Sequence, residues 1–388
     1  MTSFGFLSTY PPTRCGLATF SAALLRHLTG QDSGDRAGVV RVVDAAQPAV
    51  YPDVVAQLVN GSPTGPATAA AVLNRCDIAI VQHEYGIYGG RDGEDVLRVL
   101  AQTSKPVIVV LHTVLAAPTA HQRQVLERVA DAAAAVVVMS QTAADRLREG
   151  YLVDAAKISV IPHGAYSSRR MSPLASHNPF APPAPVAPPR RPVVLTWGLL
   201  GPGKGIERGI EAFAGLGDLS PAPRYVIAGQ THPKVLAREG EAYRDSLRAR
   251  AEELGVSADV EFDPEFRNPE VLMDLARSAD AVLLPYDSTE QATSGVLIEA
   301  VAAGRPIIAT RFPHAEELLA DGAGLLVPHH DVPAMTEALR RALTRPALAE
   351  SMAQACARLA PDLAWSSVAD AYRALAESLL ETRVTAAV

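Results

Sequence analysis

The sequence predicts an α/β protein built from two doubly wound, parallel-sheet domains, and three features carry that expectation. A chain of 388 residues exceeds what one ordinary core organises and suits two. Short apolar runs alternate with helix-periodic stretches along its length, the pattern of parallel strands joined by crossover helices. Between the two series lies 171–192, MSPLASHNPFAPPAPVAPPRRP, whose eight prolines favour extended backbone and mark a linker.

The first domain is expected over 1–170. Strands are predicted at 3–8, 39–43, 77–82, 106–112, 135–140 and 158–162. The first strand runs into Thr9-Tyr10-Pro11-Pro12-Thr13-Arg14-Cys15-Gly16, a stiff loop with a glycine where a helix over 17–28 opens. In a parallel sheet ligands collect at the carboxyl ends of strands, and two polar clusters stand there. Gln82-His83-Glu84-Tyr85-Gly86 follows the third strand, and His112-Thr113 follows the fourth. Each histidine taken alone fits an ordinary satisfied imidazole at a sheet edge equally well. Asp92-Gly93-Glu94-Asp95 reads as a solvated helix start, and no metal site is expected there or elsewhere.

The second domain is expected over 193–364. Its first strand, 193–198, leads into Leu199-Leu200-Gly201-Pro202-Gly203-Lys204-Gly205 and a helix from Ile206. The spacing from Gly198 to Gly203-Lys204 approaches a phosphate-binding P-loop. It fails at Gly205, where such a loop needs a Ser or Thr hydroxyl for magnesium. Strands at 225–229, which leads into Gln230, and at 260–263 precede the unit 281–310. That unit reads as strand 281–285, polar loop 286–293, a helix opening near Ser294, a turn at Ala303-Gly304 and strand 306–310. Thr293, Ser294 and Gly295 then stand at a helix N-terminus, where unpaired N–H groups favour an anion. Glu299, one turn further in, is either a solvated surface charge or an acceptor for ligand hydroxyls. Amphipathic helices at 331–342 and 364–381 close the chain.

Composition narrows the function classes. Hydrophobic residues at 48% with charged residues at 20% describe a globular protein. Apolar runs fall well short of the ~20 residues of a spanning helix, and the expectation is a cytoplasmic protein. Three cysteines without metal-ligand spacing fit a reducing compartment. The net charge of −7 is uneven: residues 1–170 carry 15 basic against 14 acidic side chains, and the remainder 20 against 28. Neither part offers the basic stripe a nucleic acid needs, and membrane association is not supported beyond weak docking.

The 281–310 run resembles the nucleotide-sugar segment of the family 4 retaining glycosyltransferases (group 1, GT-B fold). Its mark is Glu, seven residues, Glu, then a small-residue stretch ending Ala-Gly-x-Pro. Glu299 matches the second Glu, and Ala303-Gly304-Arg305-Pro306 follows. The first Glu falls on Gln291, with Glu290 beside it, and the spacing from the turn favours Gln291 as a neutral amide in that role. Gly198 to Gly205 is similar to the family's Gly-Arg-x-x-x-x-Lys-Gly: Lys204 and Gly205 match, while Leu199 replaces the Arg. Arg305, Arg311 and Lys234 are candidate substitutes for that missing cation.

The resemblance implies two Rossmann-like domains facing a cleft, with a C-terminal helix at about 365–388 crossing back to the first. It implies retaining, mannosyltransferase-like transfer of a hexose from a GDP- or UDP-sugar to a hydroxyl acceptor, without metal or other cofactor. It assigns Lys204, Gln291, His112 and Glu299 to the catalytic group. Donor binding falls to Gly16, Trp197, Gly198, Gly205, Gln230, Thr293, Ser294, Gly295 and Val296. Arg14, His83, Glu84 and Tyr85 are candidates for the acceptor. His163 is not expected to touch ligand, and Trp365 is expected to serve packing. The departures at Gln291 and Leu199 keep two alternatives in view, a sugar-nucleotide epimerase or hydrolase and a catalytically weak sugar-nucleotide-binding protein.

Overall fold

Strands buried on both faces need apolar side chains at nearly every position, and the central runs supply them. A computed structural model describes residues 1–30, 33–48, 51–166 and 190–386. The linker expected at 171–192 lies, up to residue 189, outside the described residues. The chain divides into two units: Met1–Gly164 with Glu290–Gly295 and Asp362–Val388, and Ala165–Thr289 with Val296–Pro361.

The first unit carries β1 (Ser3–Ser8), β2 (Arg36–Val43), β3 (Val54–Val59), β4 (Ile78–His83), β5 (Val107–Leu111), β6 (Ala135–Val138) and β7 (Ile158–Val160). They form a parallel sheet in the order β3-β2-β1-β4-β5-β6-β7. The second unit carries β8 (Val193–Trp197), β9 (Arg224–Ala228), β10 (Val260–Asp263), β11 (Ala281–Leu284), β12 (Ile307–Thr310) and β13 (Gly324–Val327), parallel in the order β10-β9-β8-β11-β12-β13. Strand order reverses between β1 and β4 in one sheet and between β8 and β11 in the other. Loops diverge at such a reversal and leave a crevice at the strands' carboxyl ends. Every residue of β4, β5, β8, β11 and β12 is buried.

Helices cover both faces. The helix Gly16–Leu28 turns Phe20, Leu24 and Leu28 inward and packs against the long terminal helix Trp365–Ala386 within the first unit. Arg373 reinforces that pairing, donating to the Leu28 carbonyl at 3.2 Å and pairing with Asp35 at 3.1 Å.

Three expectations need correction. The edge strands β3 and β13 were not anticipated; both are only partly buried, so neither needs the two-sided apolar pattern that betrays a central strand. The third predicted strand begins one residue late, because the Asp77 carboxylate caps the strand's start by accepting from Ser3 N at 2.9 Å and Ser3 Oγ at 2.6 Å. The acidic cluster is not a simple solvated helix start. Asp95 makes no side-chain cap, while Asp92 Oδ2 and Glu94 Oε2 flank the His121 imidazole at 2.8 and 3.3 Å.

Candidate functional site

In the second unit, the turn after β8 brings the sequence motif into register with the end of β11. Gly205 has φ +62°, and a Cβ there would lie 1.8 Å from the Pro285 carbonyl oxygen, so glycine lets the two loops close on each other. The adjacent Lys204 Nζ lies 4.4 Å over the Tyr286 ring, which stacks on Phe312 at 5.1 Å. Among the described residues no carboxylate lies within ion-pair distance of Lys204, and burial pushes its pKa down. A partly buried ammonium without a carboxylate partner among the described residues is a site for an arriving anion.

Glu299 meets the end of β8 just before that turn. It is partly exposed, its Oε2 accepts from Trp197 Nε1 at 2.9 Å, and burial raises its pKa against the lowering effect of that hydrogen bond. The solvated-surface alternative for Glu299 is thereby excluded. Gly198 faces Val296, whose Cγ2 would be 3.5 Å from an added Cβ. Gln230 sits on the loop after β9, which is laced to the Lys204 loop: Leu200 N donates to Gln230 O at 2.9 Å and His232 N to Leu200 O at 2.8 Å. His232 Nδ1 accepts from Lys234 N at 3.2 Å, and its imidazole pKa is lowered by burial, then by Lys234 and by Lys204. Lys234 and Lys204 thus both act on His232 through their charge.

The other candidate substitutes for the cation missing at Leu199 behave differently. Arg311 pairs with Glu316 at 3.3 Å. Arg305 precedes β12 and so stands at the amino end of the sheet, away from these loops. It cannot serve the leaving group, and that candidacy is withdrawn.

In the first unit, His112 and His83 share a dry environment. His112 Nε2–H donates to Gln82 Oε1 at 2.6 Å, which leaves Nδ1 as an acceptor. Burial, then the neighbouring His163 and His83, hold its pKa at about 3. His83 is fully buried, its pKa is pushed down to about 4 by burial, and neither ring nitrogen has a hydrogen-bond partner among the described residues. Its surroundings make it an interior histidine, 5.2 Å edge-on to the Tyr85 ring, and no longer an open contact for an acceptor. Glu84 is occupied by Thr113 Oγ1 at 2.5 Å and Tyr85 N at 3.1 Å, and burial raises the Tyr85 phenol.

Arg14 and Gly16 are exposed. The loop that bears them is pinned by buried Arg41, which donates to Thr13 Oγ1 at 2.9 Å, and by Cys15 Sγ, which accepts from Ala18 N at 3.4 Å as the helix cap.

The segment 290–295 belongs to this unit. Glu290 is committed elsewhere: its Oε2 accepts from Ala116 N at 3.0 Å and lies 3.7 Å from Arg146, which also donates to the Glu290 carbonyl at 2.7 Å. Gln291 Nε2 donates to Thr293 O at 3.1 Å, and Ser140 Oγ donates to Ala292 O at 2.6 Å. Ser294 is buried at the opening of the helix Gly295–Ala303.

His163 was not singled out by sequence, yet it approaches this turn closely. A Cβ on Gly295 would lie 2.9 Å from His163 Nε2, so glycine makes room for the imidazole. His163 Nδ1–H donates to Gly164 O at 2.7 Å, burial holds its pKa at about 4, and Nε2 is left as an acceptor. Phe20 sits 5.0 Å from His112, 5.1 Å from His163 and 5.1 Å from Trp365, so the terminal helix's tryptophan packs into the wall of the histidine group. No signal short of the tertiary fold joins His163 to Gly295.

Among the described residues no group of three or more His, Cys, Asp or Glu could hold a metal ion, and no helix is long and apolar enough to cross a membrane.

Comparison with known proteins places this arrangement. The family described as glycosyl transferases group 1 matches residues 179–358, and Glycosyltransferase Family 4 matches residues 26–169. D-inositol 3-phosphate glycosyltransferase of Jonesia denitrificans is 31% identical over 267 residues, 68% of this chain and 60% of that protein. The enzyme of the same name from Corynebacterium urealyticum is 36% identical over 134 residues, 33% of this chain and 31% of that one. These alignments therefore span less than two thirds of the relatives' own lengths. The crystal structure of Anabaena HepE with UDP superposes with a TM-score of 0.73 at 17% identity, covering 97% of this chain and all of that one. Sucrose-phosphate synthase from Thermosynechococcus elongatus gives 0.72 at 18%, with both chains fully covered. The two family matches together span most of the chain, each lies on its own parallel-sheet unit, and the solved structures share the fold: this chain belongs to the group 1, family 4 glycosyltransferases of GT-B fold.

Proposed function

We propose that this protein is a retaining glycosyltransferase that moves a hexose from a nucleoside-diphosphate donor to a hydroxyl acceptor. The observation that carries the reading is Lys204, desolvated and without a carboxylate partner among the described residues, on the loop between β8 and its helix. As the bond from sugar to diphosphate loosens, negative charge grows on the leaving phosphate. A cation already partly withdrawn from water stabilises that charge with little reorganisation. Lys234, which acts with Lys204 on His232, supplies the second positive charge that Leu199 does not. These two cations take the part a divalent metal plays in other transferases.

Glu299, steadied by Trp197 Nε1, accepts from the ribose hydroxyls of the donor. The backbone N–H groups at Ser294 and Gly295 hold phosphate oxygen, and Gly198, Gly205, Gln230 and Val296 shape the nucleotide's surroundings. His112 offers Nδ1 and Gln291 its amide to the sugar hydroxyls, and neither needs to change protonation during transfer. The acceptor then attacks the face the diphosphate leaves. Arg14, Glu84 and Tyr85 remain the groups proposed to meet it. The relatives named for D-inositol 3-phosphate favour a polyol hydroxyl as acceptor.

The test is calorimetric titration of the full chain with GDP, UDP, ADP and dTDP, repeated on Lys204→Ala. UDP belongs in the set because HepE, which shares the fold, was crystallised with it. Selective binding of one nucleotide that Lys204→Ala abolishes is the expected result. Binding of none, or binding indifferent to Lys204→Ala, overturns the reading. Consumption of the matching sugar nucleotide without any acceptor would point instead to an epimerase or hydrolase.

A further inference from the structure

At the amino ends of the second unit's strands, five arginines line one depression of about 740 Å³: Arg190, Arg191, Arg224, Arg277 and Arg305. They come from the starts of β8 and β9, the end of the helix Pro269–Ser278, and the turn before β12. The strands place them at the opposite edge from Lys204. The four steps of β8 from Val193 to Trp197, at ~3.3 Å each, put about 13 Å of strand between the two edges.

Three of the five are balanced. Arg190 forks onto Asp280 at 2.8 and 2.7 Å. Arg191 pairs with Asp259 and donates to Ala222 O at 2.8 Å and Pro223 O at 2.7 Å. Arg224 meets Glu261 at 3.3 Å. Of the other two, Arg277 has only a long ion pair and Arg305 has none among the described residues. Arg277 lies 3.7 Å from Asp274, too far for a hydrogen bond, and its Nη1 is buried with no partner. Arg305 has no carboxylate within ion-pair distance among the described residues, and its Nε is likewise buried with no partner. Five guanidiniums against the four carboxylates Asp280, Asp259, Glu261 and Asp274 leave one positive charge, in a part of the chain that is acidic as a whole.

Buried donors without acceptors are costly, and like charges facing each other add to the cost. Arg277 registers both: burial lowers its pKa most, and Arg305 lowers it further by less than Asp274 raises it. One multiply charged anion in the depression would offset the repulsion between these two guanidiniums and the positive charge left over. Planar guanidiniums suit phosphate oxygens in particular, because each presents paired donors to two oxygens at once.

We propose that this five-arginine depression is a binding site for a phosphate-bearing anion, separate from the loops around Lys204. Arg277 and Arg305 hold the phosphate, and Arg190, Arg191 and Arg224, braced by their carboxylates, form the rim.

The probe is inorganic pyrophosphate, titrated calorimetrically into the full chain carrying Lys204→Ala, which removes the other cation site from the measurement. Saturable binding is expected there. It should weaken roughly tenfold or more when Arg305→Gln or Arg277→Gln is added, the effect of losing hydrogen bonds to a charged partner. Each variant's thermal midpoint is followed, and two separate arginines keep the test open if one variant fails to fold. Absence of saturable binding in the Lys204→Ala protein, or binding that neither arginine substitution weakens, overturns the proposal. Sedimentation with phosphatidylglycerol–phosphatidylcholine vesicles, against phosphatidylcholine alone, identifies the source. Retention on the anionic vesicles that Arg305→Gln abolishes assigns the site to a lipid headgroup, and pyrophosphate binding without retention assigns it to a free phosphate compound.

Discussion

The carboxyl ends of the two sheets hold opposite kinds of nitrogen. In the first unit, His83, His112 and His163 are imidazoles whose pKa values lie at about 4, 3 and 4. They are uncharged at neutral pH, and His112 and His163 each donate one hydrogen bond and keep the other nitrogen as an acceptor. In the second unit, Lys204 is an amine in a partly buried position with an aromatic face for a neighbour and no carboxylate partner among the described residues. Burial lowers the pKa of all four groups, yet the consequence differs. A histidine answers burial by losing a proton it scarcely holds at pH 7, whereas a lysine starts four units higher and resists. One half is thus suited to orienting hydroxyls and the other to meeting charge.

The largest way to break this contrast is Lys204→Ala. Removing a cation aimed at developing charge is expected to lower kcat/KM about 10²–10³-fold, measured in steady state with the matching donor. The thermal midpoint is expected to hold or rise, because a desolvated, unpaired charge has been removed. A loss below about threefold would make Lys204 a packing residue and erase the difference between the halves.

A smaller effect separates the two functions of Glu299. Glu299→Gln keeps an acceptor for Trp197 Nε1 and should weaken nucleoside diphosphate binding by about tenfold with little change in thermal midpoint. Glu299→Ala should cost about 1–3 kcal/mol of stability in addition, because the buried indole N–H loses its partner. If Ala costs no more stability than Gln, the carboxylate does not serve Trp197, and if Gln leaves nucleotide binding unchanged, its charge does not serve ligand.

What could be read from sequence follows the same physical division. Central strands such as β4, β5, β8 and β11 announce themselves between helix-periodic stretches, whereas β3 (VVAQLV) and β13 (GLLV) are short apolar runs at sheet edges, and apolarity alone does not tell such a run from a helix segment. Lys204, Gly205 and Glu299 stand in short contiguous motifs, so their place near a strand end was legible. The partners that give them character were not. Tyr286 under Lys204, Trp197 on Glu299 and His163 against Gly295 are separated by 80 to more than 130 residues of chain, and only tertiary packing joins them. Arg305 teaches the reverse lesson. It lies inside the most recognisable motif, but the direction of β12 carries it to the other edge of the sheet. Glu290, the alternative one residue off the motif's spacing, is engaged by Ala116 N and Arg146, contacts that only the fold reveals.

The smallest effect is also the sharpest test of the neutral half, because it depends on a sign. An unfolded histidine titrates near 6.5, and His83 in the fold near 4. Above pH 6.5 both states are uncharged and His83 costs nothing. Between 6.5 and about 4 the unfolded chain takes up a proton that the native protein refuses, so stability falls as pH falls. His83 contributes at most one proton to that slope, about 1.4 kcal/mol per pH unit. His83→Leu keeps an apolar side chain in the same interior position and abolishes the titration. Urea unfolding at intervals from pH 7.5 to 4.5 should show the variant's stability falling less steeply, by up to one proton, with no difference in slope above pH 7. Equal slopes in the two proteins would mean that His83 finds a proton-compatible environment, and the contrast with Lys204 would then rest on His112 and His163 alone.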